Sequence, residues 1–216
     1  MRLAIGDIHG RDFWKPYLEE DFSECYFVGD YFDSGYLFFI REYANFKEIC
    51  ERARADRRIK LCLGNHDYHY LGGVSERYSR YQAGYSHKIR AVLEENMDLL
   101  EVVYGTADQY LISHAGVSTW FMERMQQAGY AAVEDINRAF AQDPKAFGFN
   151  GANPFGDDIT QGPLWIRPRS LEQQPLAGYH QIVGHTPAPE IKTTDLKAKA
   201  RITYIDTHGG NTVYWF

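Results

Sequence analysis

Short apolar runs that end in glycine and polar residues recur along the chain, and each predicts a buried strand followed by a turn. Five runs share this form: RLAIGDIHG (2–10), CYFVGDYFD (25–33), IKLCLGNHD (59–67), YLISHAG (110–116) and QIVGHTP (181–187). Two later runs, RITYID (201–206) and TVYWF (212–216), predict two further strands that form a closing hairpin.

Apolar residues between these runs recur at helical spacing. A first helix is predicted over residues 37–55, where the spaced apolar positions are Phe39, Tyr43, Phe46, Cys50 and Ala53. Ser118 or Thr119 is a suitable N-cap for a second helix that runs to about residue 127, and a third helix is predicted over 131–141. Strands that alternate with helices predict an α/β fold with mixed sheets.

The composition fits a single globular domain over residues 1–216. The formal net charge of −6 argues against a nucleic-acid-binding protein, because such proteins carry a basic surface. No apolar run reaches membrane-spanning length, and no secretory signal is visible. The three cysteines show no CxxC pairing, which is typical of a reducing compartment. We therefore expect a cytoplasmic protein that binds neither nucleic acid nor membrane.

Polar residues able to bind metal follow five of the predicted strands. In α/β sheets, ligand sites form at the carboxyl ends of strands. The residues at these ends are Asp7, His9, Asp30, Asp33, Asn65, His66, Asp67, His114 and His185. Five strand ends of this kind indicate one convergent site rather than five separate caps. Carboxylates with imidazoles and no thiolate suit Mn, Fe or Zn, and a pair of such ions suits displacement at phosphorus.

The ordered motifs GDIHG, GDYFDSG, GNHD, SHAGV and GHTP resemble those of the calcineurin-like metallophosphoesterases, from Met1 to about Asp206. Within this superfamily the chain looks most like the phosphoprotein phosphatase branch and its small bacterial and phage (lambda-type) serine/threonine phosphatases. GHTP has one histidine where phosphodiesterase-like relatives often carry GHxH, which favours this branch. The resemblance implies two mixed β-sheets packed as a sandwich and flanked by helices (αββα).

The resemblance also implies roles for individual residues. Two divalent metal ions, with Mn²⁺ favoured over Fe or Zn, would take six ligands: Asp7, His9, Asp30, Asn65, His114 and His185. Asp30 would bridge the two ions. His66 would protonate the leaving-group oxygen, and Asp33 would hold its ring protonated by a hydrogen bond. Asn65 would also contact the phosphate.

Two features concern substrate binding. The branch usually reads GDxxDRG, and Ser34 replaces the phosphate-clamping arginine of that motif, whereas Arg167 in PLWIRPR matches the family's other phosphate-binding arginine. The segment 68–95, tyrosine-rich over 68–87, could cap the site and supply Arg77 or Arg80 in place of the missing clamp, or pack as an ordinary helix. The motifs assign no role to four other histidines, which we expect at the surface or behind the ligands: His69, His87, His180 and His208.

These features predict a dinuclear phosphatase that hydrolyses phosphomonoesters by in-line attack of a metal-bridging hydroxide. Its expected substrates are proteins phosphorylated on serine, threonine or tyrosine. The alternative enzyme hydrolyses dinucleoside polyphosphates (Ap4A-type) or other nucleotides, because relatives with those activities share the motifs. A third reading is a non-catalytic scaffold that binds metal or phosphate, although the intact ligand positions argue against it. We expect a monomer or a weak homo-oligomer.

Overall fold

The computed structural model describes residues 1–74, 77–151, 153, 155–210 and 212–216. Its strands are β1 (Arg2–Ile5), β2 (Glu24–Phe27), β3 (Ile59–Cys62), β4 (Leu100–Glu101), β5 (Val103–Gly105), β6 (Tyr110–Ser113), β7 (His180–Val183), β8 (Lys192–Asp195), β9 (Arg201–Tyr204) and β10 (Val213–Trp215). Its α-helices are α1 (Phe39–Ala55), α2 (Asn65–Tyr68), α3 (Ser86–Glu95), α4 (Thr119–Gln127), α5 (Asp135–Gln142) and α6 (Pro168–Gln173).

The strands form two five-stranded mixed sheets, which confirms the predicted fold class. The first sheet has the order β10-β1-β2-β3-β4, and the second has the order β5-β6-β7-β9-β8. In the first sheet β1 to β4 are parallel and β10 is antiparallel to β1. In the second sheet β6, β7 and β9 are parallel, and β5 and β8 add antiparallel edges.

The closing hairpin predicted from RITYID and TVYWF is wrong. The first of these runs gives β9, which pairs with β7 and β8, whereas the second gives β10, which pairs with β1 in the other sheet. Strand β10 pairs along one edge of β1. Next to this pairing, Arg2 and Phe216 exchange backbone hydrogen bonds of 2.8 and 3.0 Å. Strands β1 and β10 lie at opposite ends of the chain, so their pairing depends on the assembled sheet. The local pattern of apolar residues does not reveal such pairing.

The two sheets pack face to face with helices on their outer sides. Side chains alternate along β1, so that Ala4 belongs to the apolar cluster between the sheets while Leu3 and Ile5 belong to the core on the helical side. The cluster between the sheets joins residues of both: Ala4, Tyr26, Val28, Cys62, Ile112, Ile182 and Ile205. On the helical side, the core includes buried residues of α1 and α3. On the far side of the second sheet, Leu171 of α6 packs in a cluster with Val183 and Ile202.

The helices confirm most of the predicted pattern. Helix α1 lies within the predicted 37–55, and α4 begins after Ser118, whose hydroxyl accepts a hydrogen bond from the Phe121 amide at 3.1 Å. Helix α5 begins at Asp135, four residues later than predicted, because the Asp135 carboxylate accepts a hydrogen bond from the Ala132 amide in a preceding turn. No helix in the described part of the chain is both long and apolar enough to cross a membrane.

Candidate metal centre

Four predicted site residues adopt left-handed backbone conformations that non-glycine residues rarely take. The φ angles are +43° at His9, +55° at Asp30, +65° at Asp33 and +68° at His185. The loops that follow β1 and β2 support each other through backbone hydrogen bonds, including a 2.6 Å bond from the His9 amide to the Asp30 carbonyl. Conformations of this kind cluster at functional sites, where the surrounding structure over-determines them.

Asp30 lies at the middle of the cluster and faces an imidazole on each side. Its Oδ2 is 3.6 Å from Nε2 of His9, and its Oδ1 is 3.4 Å from Nε2 of His114. Ligand atoms of Asp7, Asp30 and His114 all lie within 4.8 Å of one another, and the three residues are buried. The two oxygens of this carboxylate are thus directed to different imidazoles.

Asn65 and His185 complete the set next to His114. Oδ1 of Asn65 is 2.8 Å from Nε2 of His114 and 2.9 Å from Nδ1 of His185. These two nitrogens, Nε2 of His114 and Nδ1 of His185, are 3.2 Å from each other. The structure therefore brings together all six residues predicted as ligands.

Backbone carbonyls orient the three imidazoles toward the cluster. Nδ1 of His9 is 2.6 Å from the Phe32 carbonyl, and Nδ1 of His114 is 2.8 Å from the Val28 carbonyl, so in both rings Nε2 is left to face the carboxylates. His185 is reversed, with Nε2 at 3.2 Å from the Trp165 carbonyl and Nδ1 inward. Carbonyl acceptors of this kind fix the tautomer in which the inward nitrogen carries the lone pair that binds a metal.

The charges of the cluster suit bound cations. Burial and the neighbouring carboxylates Asp206 and Asp30 raise the pKa of Asp7, and burial with Asp30 raises the pKa of Asp206 to about 6. Burial lowers the pKa of His9 to about 4 and keeps this ring neutral, which is the form that binds metals. Buried carboxylates that repel each other beside neutral imidazoles lack positive charge, and divalent ions would supply it. The residues therefore fit a metal centre.

Two glycines allow the carboxylates to come close to the neighbouring backbone. A Cβ on Gly64 would lie 2.2 Å from Oδ1 of Asp30, and a Cβ on Gly184 would lie 2.1 Å from Oδ1 of Asp7. Both distances are far below van der Waals contact, so any side chain at these positions would displace a predicted ligand. The glycines of GNHD and GHTP are thus required by packing against the site.

His66 and Asp33 form a hydrogen-bonded pair beside the metal cluster. Nδ1 of His66 is 2.9 Å from Oδ2 of Asp33. Burial alone would lower the pKa of His66, but the charges of Asp30 and Asp33 raise it above its usual value. Burial would raise the pKa of Asp33, yet hydrogen bonds from His66, His69 and Tyr70 lower it. The pair therefore favours a charged imidazole whose other nitrogen is free to donate a proton.

A cavity of about 470 Å³ opens onto this cluster. Its lining includes predicted ligands, His66 and Arg167, which donates a hydrogen bond to the Thr186 hydroxyl at 3.1 Å. Part of the 68–95 segment also lines it, through Tyr78, Ser79 and Arg80, whereas Ser75 and Glu76 of that segment lie outside the described residues. Aromatic side chains of Phe149, Phe155 and Trp165 form another part of the wall.

The comparisons with known proteins assign the family. The sequence model of the calcineurin-like phosphoesterases matches residues 2–212. The chain belongs to this family. Its members bind divalent metals and hydrolyse phosphoesters, so this chain is a phosphoesterase by family, and the buried cluster of carboxylates and imidazoles is its candidate metal centre. Comparison with curated protein sequences gives no match.

Solved structures show the same fold in other phosphoesterases. The cold-active protein-tyrosine phosphatase of a psychrophilic Shewanella species is 18% identical, with a TM-score of 0.61 over 93% of this chain and 70% of that chain. A metallophosphoesterase from Sphaerobacter thermophilus is 15% identical, with a TM-score of 0.52 over 95% of this chain and 76% of that chain. At these identities the similarity concerns the fold.

His69, to which the motifs assigned no role, contacts the predicted catalytic pair. His69 is fully buried, and its Nε2 is 2.7 Å from the same Asp33 oxygen that bonds His66. The short helix α2 and its C-cap place His66 and His69 three residues apart on one face. Ligand atoms of Asp33, His66 and His69 lie close enough together for a metal, but here both histidines lie at hydrogen-bond distance from Asp33.

Two further acidic residues have roles that the motifs did not reveal. Asp67 accepts hydrogen bonds of 2.9 Å from the amides of Asp30 and Tyr31 and of 3.0 Å from the Gly64 amide, so it holds the loops rather than facing the cavity. Asp206 lies at the end of RITYID and lines the cavity beside the predicted ligands. The sequence signal that could have identified Asp206 as a site residue is its position at the end of a predicted strand, which resembles that of Asp7. Of the remaining histidines, His87 and His208 are exposed and His180 is half-buried.

Proposed function

We propose that this phosphoesterase is a dinuclear metal-dependent phosphatase that hydrolyses phosphomonoesters. The observation that carries the proposal is the position of Asp30, whose two carboxylate oxygens face His9 on one side and His114 on the other. A single metal ion would need an imidazole on only one side of Asp30. The remaining ligands are Asp7 with His9 for one ion, and Asn65, His114 and His185 for the other, with Mn²⁺ as the expected metal and Fe or Zn as alternatives.

The chain's own residues divide the remaining work. Bound divalent ions supply positive charge for the phosphate and acidify water so that it can act as the nucleophile. Asn65 and Arg167 line the cavity and would bind phosphate oxygens. His66, charged through its bond to Asp33, donates a proton to the leaving oxygen. His69 and Tyr70 hold Asp33 in place, with Nε2 of His69 at 2.7 Å and the Tyr70 hydroxyl at 2.5 Å from its oxygens.

The proposed substrates are phosphorylated serine, threonine or tyrosine side chains of proteins. The single histidine of GHTP supports a place in the phosphoprotein phosphatase branch, near its small lambda-type members, and Ser34 in GDYFDSG is a departure from that branch's GDxxDRG motif. The open cavity accommodates a phosphate presented on a side chain. The proposal includes a single domain over 1–216, a site cap formed by part of 68–95, a cytoplasmic location and a monomeric or weakly associating state.

A second candidate is a phosphohydrolase of dinucleoside polyphosphates. The observation that favours it is the aromatic part of the cavity wall, formed by Tyr78, Phe149 and Phe155. The ring of Phe155 is 83% exposed, so its face is available to stack on a base.

A substrate panel separates the two candidates. Metal-stripped protein reloaded with Mn²⁺, Zn²⁺ or Fe²⁺ is assayed for phosphate release from phosphoserine, phosphothreonine and phosphotyrosine peptides, and for turnover of diadenosine tetraphosphate. We expect metal-dependent release of phosphate, with the peptides as the better substrates by kcat/KM. A clear preference for diadenosine tetraphosphate would favour the second candidate. Metal binding without turnover of any phosphoester would favour the non-catalytic scaffold.

A further inference from the structure

Arg80 lies at the mouth of the cavity in an uncommon conformation. Its φ angle is +65°, in the left-handed region, and its side chain is exposed while also lining the cavity that contains Asp30 and His66. A long side chain gains nothing from this backbone conformation, which costs roughly 1–3 kcal/mol. The strain therefore suggests that the position of this side chain matters.

The side chain of Arg80 runs beside the loop that carries Asp33. Its Cδ is 3.2 Å from the position that a Cβ on Gly35 would take. Ser34, the neighbour of Gly35, is buried, and its hydroxyl accepts a hydrogen bond from the Leu37 amide at 3.2 Å. Serine at this position carries no positive charge, whereas Arg80 lines the cavity from another loop.

The guanidinium of Arg80 has no carboxylate partner within the described ranges of the chain. The Arg80 side chain nevertheless lines the cavity together with Asp30, His66 and Asp206. A cation that lines the cavity but has no carboxylate partner of its own is suited to an anion that enters the cavity.

The loop around Arg80 is attached to the catalytic network. Nε2 of Gln82 donates hydrogen bonds of 2.7 Å to Glu42 and 3.3 Å to Asp33, and the Gln82 amide is 2.8 Å from the Tyr70 hydroxyl. The Tyr81 ring stacks on Tyr70 with a centroid distance of 4.7 Å. Tyr70 in turn bonds Asp33, so the segment next to Arg80 is positioned by the same residues that orient His66.

We propose that Arg80 is a phosphate-binding residue, which supplies from the loop 77–82 the cation that Ser34 cannot provide. Arg80 and Arg167 line the same cavity, and together they would add two positive charges to those of the metal centre. Guanidinium groups bind phosphate oxygens through paired N–H donors. This inference rests on the proposed function, because it assumes that the cavity binds a phosphate.

The test compares phosphate binding by the wild-type protein and by Arg80→Gln. Both are loaded with Mn²⁺ and titrated calorimetrically with inorganic phosphate, and KM and kcat are measured on a phosphomonoester. We expect phosphate affinity to fall roughly 10- to 100-fold, which is the effect of losing a charge-assisted hydrogen-bonded pair. KM should rise by a similar factor, with a smaller change in kcat. Arg57→Gln, at an exposed position between α1 and β3, is the matched control.

A rescue experiment makes the assignment specific. The double variant Ser34→Arg/Arg80→Gln should recover phosphate affinity, because it places the cation on the adjacent loop. Equal phosphate affinity in the wild type and Arg80→Gln would overturn the inference alone, and wild-type protein that binds no phosphate would overturn it as well. Wild-type protein that binds phosphate through Arg80 but hydrolyses no phosphomonoester would instead contradict the proposed function. Unchanged thermal unfolding of Arg80→Gln shows that any loss comes from the site.

Discussion

Replacement of His66 by asparagine tests the proton donor without dismantling the metal centre. The variant loses the 2.9 Å bond from the imidazole to Asp33, but Asp33 keeps its bonds to His69 and Tyr70. The backbone amide at position 66 still donates to Oδ1 of Asp30 at 2.9 Å, because this bond does not involve the side chain. We therefore expect the loops and both metal ions to be retained.

The expected loss depends on the leaving group. General acid catalysis contributes about 10²- to 10⁴-fold, or about 2.7–5.4 kcal/mol of transition-state stabilisation. A phosphoserine ester has an alkoxide leaving group that needs this proton, so His66→Asn should lose roughly this factor in kcat. An activated aryl ester such as p-nitrophenyl phosphate leaves as a stable anion and should lose less than about tenfold.

The assay measures kcat and KM on both esters with the metal content determined on the same preparation. His87→Asn is the control, since His87 is exposed on α3. We expect His66→Asn to bind two metals and to lose more kcat on the phosphoserine ester than on the aryl ester. His87→Asn should be unchanged on both. Equal losses on the two esters would refute the role of His66 as the acid, and loss of metal would show that its side chain supports the ligands instead.

Three other changes probe the ligands and the fold. Asp30→Asn should weaken both metals together, at least roughly tenfold each by metal titration, and retention of two tight ions would contradict the bridging role. Gly184→Ala places a Cβ 2.1 Å from Asp7, so metal affinity should fall and unfolding should cost about 1–3 kcal/mol less, whereas Gly84→Ala, which meets nothing within 4 Å, should be neutral in both measurements. Burial lowers the pKa of His180 to about 4, so the unfolded chain binds its proton first and stability falls between about pH 6.5 and 4. In urea unfolding, His180→Gln should therefore lose less stability than the wild type between pH 7 and 4.5. An equal loss in the two proteins would refute the contribution of His180.

The parts of the fold that sequence predicted are those with a strong local signal. Buried strands such as β1, β2 and β3 are short apolar runs, and the residues that follow them enter the site because parallel strands end at the same edge. Strands β4, β5 and β8 escaped prediction, because the first two have only two and three residues and β8, KTTD, is polar and mostly exposed. Helix α3 carries buried residues at helical spacing, Ile89, Val92 and Leu93, and could have been recognised.

In the site, as in the fold, residues within a local sequence motif were predictable, and contacts between residues far apart in the sequence were not. The clustering of the six predicted ligands was predictable, because each lies within a strand–glycine motif of the sequence. The position of His69 was not, since its partner Asp33 lies 36 residues away and the intervening chain gives no sign that they meet. Arg80 was one of two arginines considered for the same task, and the structure distinguishes them: Arg77 donates to the carbonyls of its own loop, whereas Arg80 lines the cavity.

The central claim is that Asp30 bridges two metal ions, and anomalous diffraction from crystals grown with Mn²⁺ tests it most directly. We expect two anomalous peaks roughly 3.5–4 Å apart, with Asp30 between them, His9 on one ion and His114 on the other. A single peak, or a pair of peaks at Asp33, His66 and His69 instead, would contradict it.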